Sequence, residues 1–206
     1  MTVFDPHRKR NARGEQRRQE LLRAAAAVFA RAGYHEATTN AIATEAGVSP
    51  ATLYQFFPNK EALADALTSQ HTRHMAEQER SIDADASLPF SEAIARLLEA
   101  ALRFHRQHPE FHTLLLEAPL SATARQDKEA LATVFTGFVA DRLRRASPTL
   151  SRSEAQHHGE VALMIFKGIL AEIAHGSSPA ARRRLQNSLR DAVLRYLEPI
   201  ANPTPR

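Results

Sequence analysis

The chain has 206 residues, of which 43% are hydrophobic and 24% charged, and its formal net charge is +4. This composition is typical of a globular protein with one or two cores, and the absence of cysteine excludes disulfide bonds, thiolate catalysis and cysteine-ligated zinc. Apolar runs such as Val161–Phe166 are too short to span a bilayer, and the N-terminus lacks the apolar segment of a secretion signal. We therefore expect a cytoplasmic protein without a membrane partner.

Basic residues are concentrated near the N-terminus. Six of them lie between Arg8 and Arg18, with Glu15 as the only acid in that stretch. We predict that residues 1–13 form a flexible basic arm in which Arg8 and Arg10 contact a polyanion. The alternative is a solvated tail that only aids solubility.

Two helices are predicted after this arm. Apolar residues recur at helical spacing from Leu22 to Phe29, which indicates a helix over residues 14–32 that ends at Gly33. Thr38 is suited to cap a short second helix, which Gly47 terminates.

A third helix is predicted only two residues after the second one ends. Ser49 is a favourable N-cap, and Pro50 is tolerated at the first helical position, where its missing N–H would have no partner. Pro58 ends this helix near Phe57, and Asn59 can cap the next one. Helical geometry places Leu53 and Phe57 on one side, facing inward.

This arrangement of two short helices around a glycine turn predicts a helix-turn-helix, whose second helix enters the DNA major groove. On its outer face Thr52 and Gln55 can bond base edges, while Pro50 and Ala51 can contact thymine methyl groups. Phosphate contacts are assigned to Tyr54 and Lys60. The remaining predicted contacts lie at the starts of the two helices: Thr38, Thr39, Asn40 and Ser49. A short helical corner in an ordinary bundle is the alternative interpretation.

The stretch AGYHEATTNAIATEAGVSPATLYQFFPNKEAL resembles the DNA-binding domain of the TetR family of bacterial transcriptional regulators. The resemblance covers roughly residues 14–65. It implies an all-α protein with three N-terminal helices for DNA and a larger C-terminal domain that binds an effector and dimerises. Ala51 stands where relatives with this pattern often have glycine, so the operator sequence of a relative cannot be transferred. The matching residues are Ile42, Ala43, Ala46, Gly47, Val48, Ser49, Leu53, Tyr54, Phe57, Lys60 and Glu61.

The domain boundaries follow from these patterns. Residues 14–62 are predicted to form the DNA-binding domain, residues 63–200 the effector-binding and dimerisation domain, and residues 201–206 a disordered tail. Further breaks are expected at several prolines and one glycine. The predicted later helices are 60–81, 91–107, 109–117, 121–146, 153–175 and 178–198.

The last two predicted helices carry a homodimer prediction. The first is apolar nearly all round and needs cover on more than one side, with Ile165 and Ile169 on one stripe. The second has apolar residues at coiled-coil spacing opposite an arginine-rich face. A four-helix interface about a twofold axis is expected, and a buried hairpin in a monomer is the alternative. The predicted contacts on the second helix are Leu185, Leu189, Ala192 and Tyr196.

Aromatic residues on the central helices predict an apolar effector cavity. Such a cavity favours a hydrophobic or aromatic small molecule over a sugar or nucleotide. Ordinary core packing is the alternative for each phenylalanine. The predicted ligand-binding residues are Phe104, Phe111, Phe135, Phe138 and Phe166, with His108 among the polar candidates.

Ten histidines raise the question of a metal site. His105, His108 and His112 lie close in sequence, but Pro109 interrupts the group and no carboxylate completes it convincingly. We therefore predict no metal and no cofactor. We also find no phosphate loop, nucleophile elbow or zinc-protease motif, so an enzyme is not expected.

Together these patterns predict a homodimeric repressor that reads a near-palindromic operator through residues 50–57 and is released by a small molecule. The alternative is an architectural or partner-gated DNA-binding protein without an effector. A cavity of several hundred Å³ in the C-terminal domain would distinguish the two.

Overall fold

The computed structural model describes the backbone of residues 6–85, 87–174 and 178–203, and within these ranges it describes side chains except those of residues 6–11, 174 and 179. The described residues contain nine α-helices and no strand, which confirms the all-α fold. None of these helices combines the length and the low charge content that a bilayer span requires. The helices are α1 Pro6–Glu36, α2 Thr39–Glu45, α3 Pro50–Phe56, α4 Lys60–Asp83, α5 Phe90–Gln107, α6 Pro109–Glu117, α7 Ala122–Ala146, α8 Arg152–Ala174 and α9 Pro179–Ala201.

Two stretches differ from the prediction. The first helix begins at Pro6 rather than at Gly14, so residues 6–13 are helical where a flexible arm was expected. Pro6 suits the first helical position, and the following arginine, lysine and alanine residues favour a helix. At the other end, α9 continues through Pro199, because a proline in the last turn removes only one hydrogen bond close to where the helix stops anyway.

The chain divides into two compact units. The first contains the chain up to His71 together with His108–Arg125, and therefore holds α1, α2, α3, the first half of α4, and α6. The predicted boundary at residue 62 did not include α6 in this unit. A core cluster that includes Phe29, Ile42 and Leu53 joins these helices, and Leu114 of α6 belongs to the same cluster.

The second unit contains Thr72–Gln107 and the chain from Gln126 onward. Its core is built from α5, α7, α8 and α9, with Leu98, Val139, Ala162 and Leu189 among the fully buried residues. The buried Arg142 guanidinium donates to the carbonyls of Ile82, Asp83 and Asp85, so it satisfies the last carbonyls of α4.

Candidate nucleic-acid interface

The turn between α2 and α3 has a defined geometry. Gly47 has φ of 65°, a left-handed conformation that glycine adopts without steric cost. The Val48 N–H donates to the Ala43 carbonyl and the Gly47 N–H to the Thr44 carbonyl, each at 3.0 Å. This is the Schellman pattern, which satisfies the last carbonyls of α2 and fixes the direction in which the chain leaves it.

Both short helices are capped by side chains. Ser49 Oγ accepts from the Thr52 N–H at 3.1 Å, and Thr38 Oγ1 accepts from the Ala41 N–H at 3.1 Å. Asn59 Oδ1 accepts from the Ala62 N–H at 2.8 Å and so caps α4. The three N-caps predicted in this region, Thr38, Ser49 and Asn59, are therefore present, and those of α2 and α3 hold helices that are too short to be stable alone.

The two faces of α3 differ sharply. Leu53 and Phe57 are buried in the core of the first unit. Pro50, Ala51 and Gln55 are exposed. Small or neutral polar side chains on a capped, packed helix allow close approach to the edges of bases.

Tyr54 and Thr39 are held together on this surface. The Tyr54 side chain is 49% exposed, and its hydroxyl shares a hydrogen bond of 2.9 Å with the hydroxyl of Thr39. This bond links α3 to the first turn of α2. Thr52 is partly exposed and shares a 2.9 Å bond with the Ser49 hydroxyl, while Asn40 is exposed.

Lys60 has partners within its own unit. Its Nζ donates to the carbonyls of Tyr34 at 2.8 Å and His35 at 3.1 Å, and it lies 4.4 Å from the centre of the Tyr34 ring. These contacts tie the start of α4 to the last residues of α1, beyond its kink at Gly33. A phosphate contact by Lys60 stays a prediction, and it would have to share the ammonium with these carbonyls.

Basic residues of α1 lie beside α3. A groove of about 380 Å³ is lined by Arg13 and Arg17 of α1 and by Thr52 and Phe56 of α3. Arg17 also forms an ion pair with Glu20 at 2.8 Å. The side chains of Arg8 and Arg10 lie outside the described residues, so their DNA contacts stay predictions.

The predicted effector-binding residues are all well buried except His108. Phe135, Phe138 and Phe166 belong to the core cluster of the second unit, in which the rings of Phe135 and Phe166 have centroids 5.6 Å apart. Phe104 belongs to the second unit as well, whereas Phe111 and His108 belong to the first. The effector site stays a prediction for all six.

The predicted dimer residues differ in exposure. Ile165, Ile169, Leu185, Ala192 and Tyr196 are partly exposed in the single chain. Leu189 is fully buried in its own chain's core and has no surface to offer a second subunit. We therefore correct the role of Leu189 to packing of α9 within its own chain. The apolar spacing along α9 did not show which residues face the chain's own core and which face a second subunit.

Other residues that organise this unit were not identified from the sequence. The Tyr34 N–H donates to Glu117 of α6 at 3.1 Å, and its hydroxyl donates to Glu61 of α4 at 3.0 Å. Burial, followed by the hydrogen bond and charge of Glu61, raises the pKa of Tyr34 to about 12. Tyr34 and Glu117 are far apart in the chain, so no local sequence pattern could have paired them.

Comparisons with known proteins agree with this geometry. Residues 21–67 match the family model for bacterial regulatory proteins of the tetR family, and residues 89–197 match the tetracyclin repressor-like C-terminal domain. The chain is 30% identical over 146 residues to the HTH-type transcriptional regulator UidR of Escherichia coli strain K12, covering 70% of this chain and 68% of UidR.

Two further proteins show the range of similarity. The HTH-type transcriptional regulator YhgD of Bacillus subtilis is 36% identical over 92 residues, an alignment that spans 45% of this chain and about half (48%) of YhgD. The crystal structure of the TetR family transcriptional regulator PfmR from Thermus thermophilus superposes with a TM-score of 0.69 at 21% identity, covering 86% of this chain and 97% of PfmR. The second likeness concerns the fold alone.

The capped pair α2–α3 with its polar outer face defines a helix-turn-helix DNA-binding protein. The matches over both parts of the chain make the assignment narrower. The chain belongs to the TetR family of bacterial transcriptional regulators, and it is a regulator rather than an enzyme.

Proposed function

We propose that this regulator is a homodimeric repressor that binds a near-palindromic operator and is released by a small hydrophobic or aromatic effector. The observation that carries the DNA-binding part is the outer face of α3. It presents Ala51, Tyr54 and Gln55 on a helix whose ends are both closed by hydrogen bonds. A rigid helix loses little entropy on entering the groove, so its side chains can contribute to sequence discrimination.

The contacts on that face divide by role. Gln55 is placed to pair with an adenine edge, and Pro50 and Ala51 to contact thymine methyl groups. Tyr54, Thr39 and the basic residues of α1 are assigned to phosphates, which position the protein without reading sequence. The groove beside Arg13 and Arg17 supports this division, because it brings positive charge next to α3.

Release by an effector requires only a modest coupling. A ligand that binds the DNA-free conformation better by about 1–3 kcal/mol changes operator affinity by about 5- to 150-fold. The buried phenylalanines of the second unit support an apolar site, and a cytoplasmic location belongs to the same proposal because the chromosome is the partner.

The test begins with genomic fragments selected by the purified full-length protein. Binding to the selected operator is then measured by fluorescence anisotropy for the wild type, for Gln55→Ala and for Gln78→Ala, an exposed glutamine on α4 that serves as the matched control. Gln55→Ala should lose about 1–3 kcal/mol of discrimination at one base pair, and Gln78→Ala should behave as the wild type. Equal effects of the two substitutions would contradict the assignment of α3 as the reading helix.

The basic residues have their own signature in the same assay. Replacing Arg13 and Arg17 by glutamine should weaken binding to all sequences alike and lower the slope of log affinity against log salt by about 0.9 for each lost phosphate contact. An unchanged slope would remove these arginines from the interface.

A further inference from the structure

Three side chains able to bind a metal meet where α4 contacts α6. His71 lies in the middle of α4, His108 is the N-cap residue of α6, and Glu110 lies in the first turn of α6. His71 Nε2 is 2.9 Å from Glu110 Oε1, and His108 Nδ1 is 3.5 Å from the same oxygen. All three ligand atoms lie within 4.8 Å of one another, inside the first unit.

Because this cluster is buried, an unpaired charge within it would be costly. The side chains of His71 and Glu110 are only 5% and 4% exposed. An ionised carboxylate in such a place is costly unless a positive group accompanies it. A divalent cation supplies that charge, and two imidazole nitrogens and a carboxylate oxygen are suitable ligands for it.

The spacing suits a small transition-metal ion. Zinc bonds to nitrogen and oxygen are about 2.0–2.1 Å long, so neighbouring ligand atoms of a tetrahedral site lie about 3.3 Å apart. The two distances to Glu110 Oε1 fall on either side of this value. Two imidazoles and one carboxylate favour Zn²⁺ or a similar transition metal over Ca²⁺ or Mg²⁺, which prefer all-oxygen sites.

The three side chains leave a fourth coordination position of the metal open, as many zinc sites do. The His108 side chain is 34% exposed, which leaves a path for the ion and room for a fourth ligand such as water. From the sequence, His108 was grouped with His105 and His112 and set aside because Pro109 interrupts that group. Pro109 instead starts α6, and it thereby sets Glu110 on the turn that faces His71.

We propose that His71, His108 and Glu110 form a binding site for a divalent transition-metal ion, with Zn²⁺ as the best match. We further propose that binding of this ion changes the affinity of the DNA-binding unit for its operator. The ion joins α4 to α6. The start of α4 contacts the end of α1 through Lys60, and α6 contacts the same end of α1 through Glu117. The effect on operator binding rests on the function proposed above, whereas metal binding itself does not.

Metal binding is tested on the full-length protein after removal of metal with a chelator. Zn²⁺ is titrated in competition with a chromophoric chelator, and Co²⁺ is added separately as a spectroscopic probe. We expect one Zn²⁺ per chain and the intense visible bands of four-coordinate Co²⁺. Removing a direct ligand should weaken Zn²⁺ binding by at least about a hundredfold, since even outer-shell changes cost about 10- to 100-fold.

The variants separate this site from surface histidines. His108→Gln is the decisive variant, because its position is one-third exposed and the substitution should leave the fold intact, as circular dichroism would verify. Glu110→Gln should also weaken Zn²⁺ binding. His157→Gln, at an exposed position on α8, is the matched control and should retain full affinity. Wild-type Zn²⁺ affinity in His108→Gln, or an equal loss in His157→Gln, would overturn the site and leave a His–Glu ion pair only.

The regulatory half is tested by operator binding with and without Zn²⁺. Zn²⁺ should change the operator Kd of the wild type by about 5- to 150-fold and leave that of His108→Gln unchanged. A Zn²⁺-independent Kd in the wild type would overturn the regulatory half. If the wild type bound no operator either with or without Zn²⁺, the DNA-binding proposal would fail instead, because the Zn²⁺ titration requires no DNA.

Discussion

Tyr34 lies near the end of α1 and joins this helix to α4 and α6 of the DNA-binding unit. It follows Gly33, whose φ of 76° breaks α1. Its pKa is raised from the ordinary 10 to about 12, so the hydroxyl stays protonated and keeps donating to Glu61 even well above neutral pH. The Lys60 ammonium lies 4.4 Å from the centre of the ring. The position from which α2 starts is therefore set by one aromatic residue and its polar neighbours.

The opposite faces of α3 give the first residue-scale prediction. Tyr54→Ala should change the free energy of unfolding by less than about 1 kcal/mol and weaken operator binding, because Tyr54 is half exposed. Leu53→Ala should cost about 2–5 kcal/mol of stability, because it leaves a cavity in the core. Urea unfolding and operator titration measure the two effects. A Tyr54→Ala protein that is unstable but binds DNA normally would reverse the assigned orientation of α3.

His158 gives a pH-dependent prediction in the second unit. Burial lowers the pKa of His158 below its ordinary 6.5, the charge of His157 adds to this effect, and Glu154 opposes it. The unfolded chain therefore binds the proton more readily, so stability is full above about pH 6.5 and falls as the pH drops through the folded-state pKa. Urea unfolding across this range should show a smaller loss for His158→Gln than for the wild type. Identical pH profiles would contradict a role for His158.

At the scale of elements, α7 and α8 approach each other closely at Gly159. A Cβ added there would lie 2.5 Å from the backbone carbonyl oxygen of Thr136, a distance that no real side chain shows. The backbone of α7 cannot move without disturbing Phe135 and Phe138 in the core. A glycine inside this helix is therefore required by packing, even though glycine disfavours the helix itself.

Two alanine substitutions in the same helix should have opposite effects. Gly159→Ala should destabilise the protein by about 1–3 kcal/mol through overpacking. Gly168→Ala is the matched control, because nothing lies within 4 Å of its added Cβ, and it should be neutral or stabilising by up to about 1 kcal/mol. Thermal and urea unfolding measure both. Equal stability of the two variants would show that α7 and α8 are not packed as described.

At the scale of the whole molecule, the outer surface of α8 and α9 remains the proposed dimer face. Met164 is 62% exposed on α8 and can form one apolar patch with its neighbours on this surface. Ile165 and Ile169 are partly exposed on the same helix, and Leu185 and Ala192 on α9. Leu189, the residue placed at the centre of this face from the sequence, packs inward instead.

The dimer prediction therefore uses Met164 rather than Leu189. Met164→Glu should put a charge at the interface, dissociate the dimer and weaken operator binding by about 10²- to 10⁴-fold through loss of linkage between two recognition helices. Leu116→Glu makes the same change at a 66% exposed position on α6 and should remain dimeric. Sedimentation measures the mass of both. A Met164→Glu protein that stays dimeric with full operator affinity would place the interface elsewhere.

Local interactions were predictable from the sequence, and contacts between residues distant in the chain were not. The caps Thr38, Ser49 and Asn59 were predictable because each bonds a backbone N–H three residues away. The two carbonyls that Lys60 binds belong to Tyr34 and His35, which are distant from it in sequence. No local pattern indicates these contacts, so Lys60 was assigned to a phosphate. The cluster of His71, His108 and Glu110 was missed for the same reason, because His71 is distant in sequence from the other two residues.

The sequence by itself determined the all-α class, the helix-turn-helix and the residues on each side of α3, because helical periodicity, caps and breakers act within one or two turns. Only the tertiary structure decided that α6 belongs to the unit that holds α1–α3, that Leu189 faces its own core and that His71 meets Glu110. Those outcomes depend on which helix packs against which, and many pairings satisfy the same apolar stripes. The choice among them comes from burying the whole core at once, which no local pattern records.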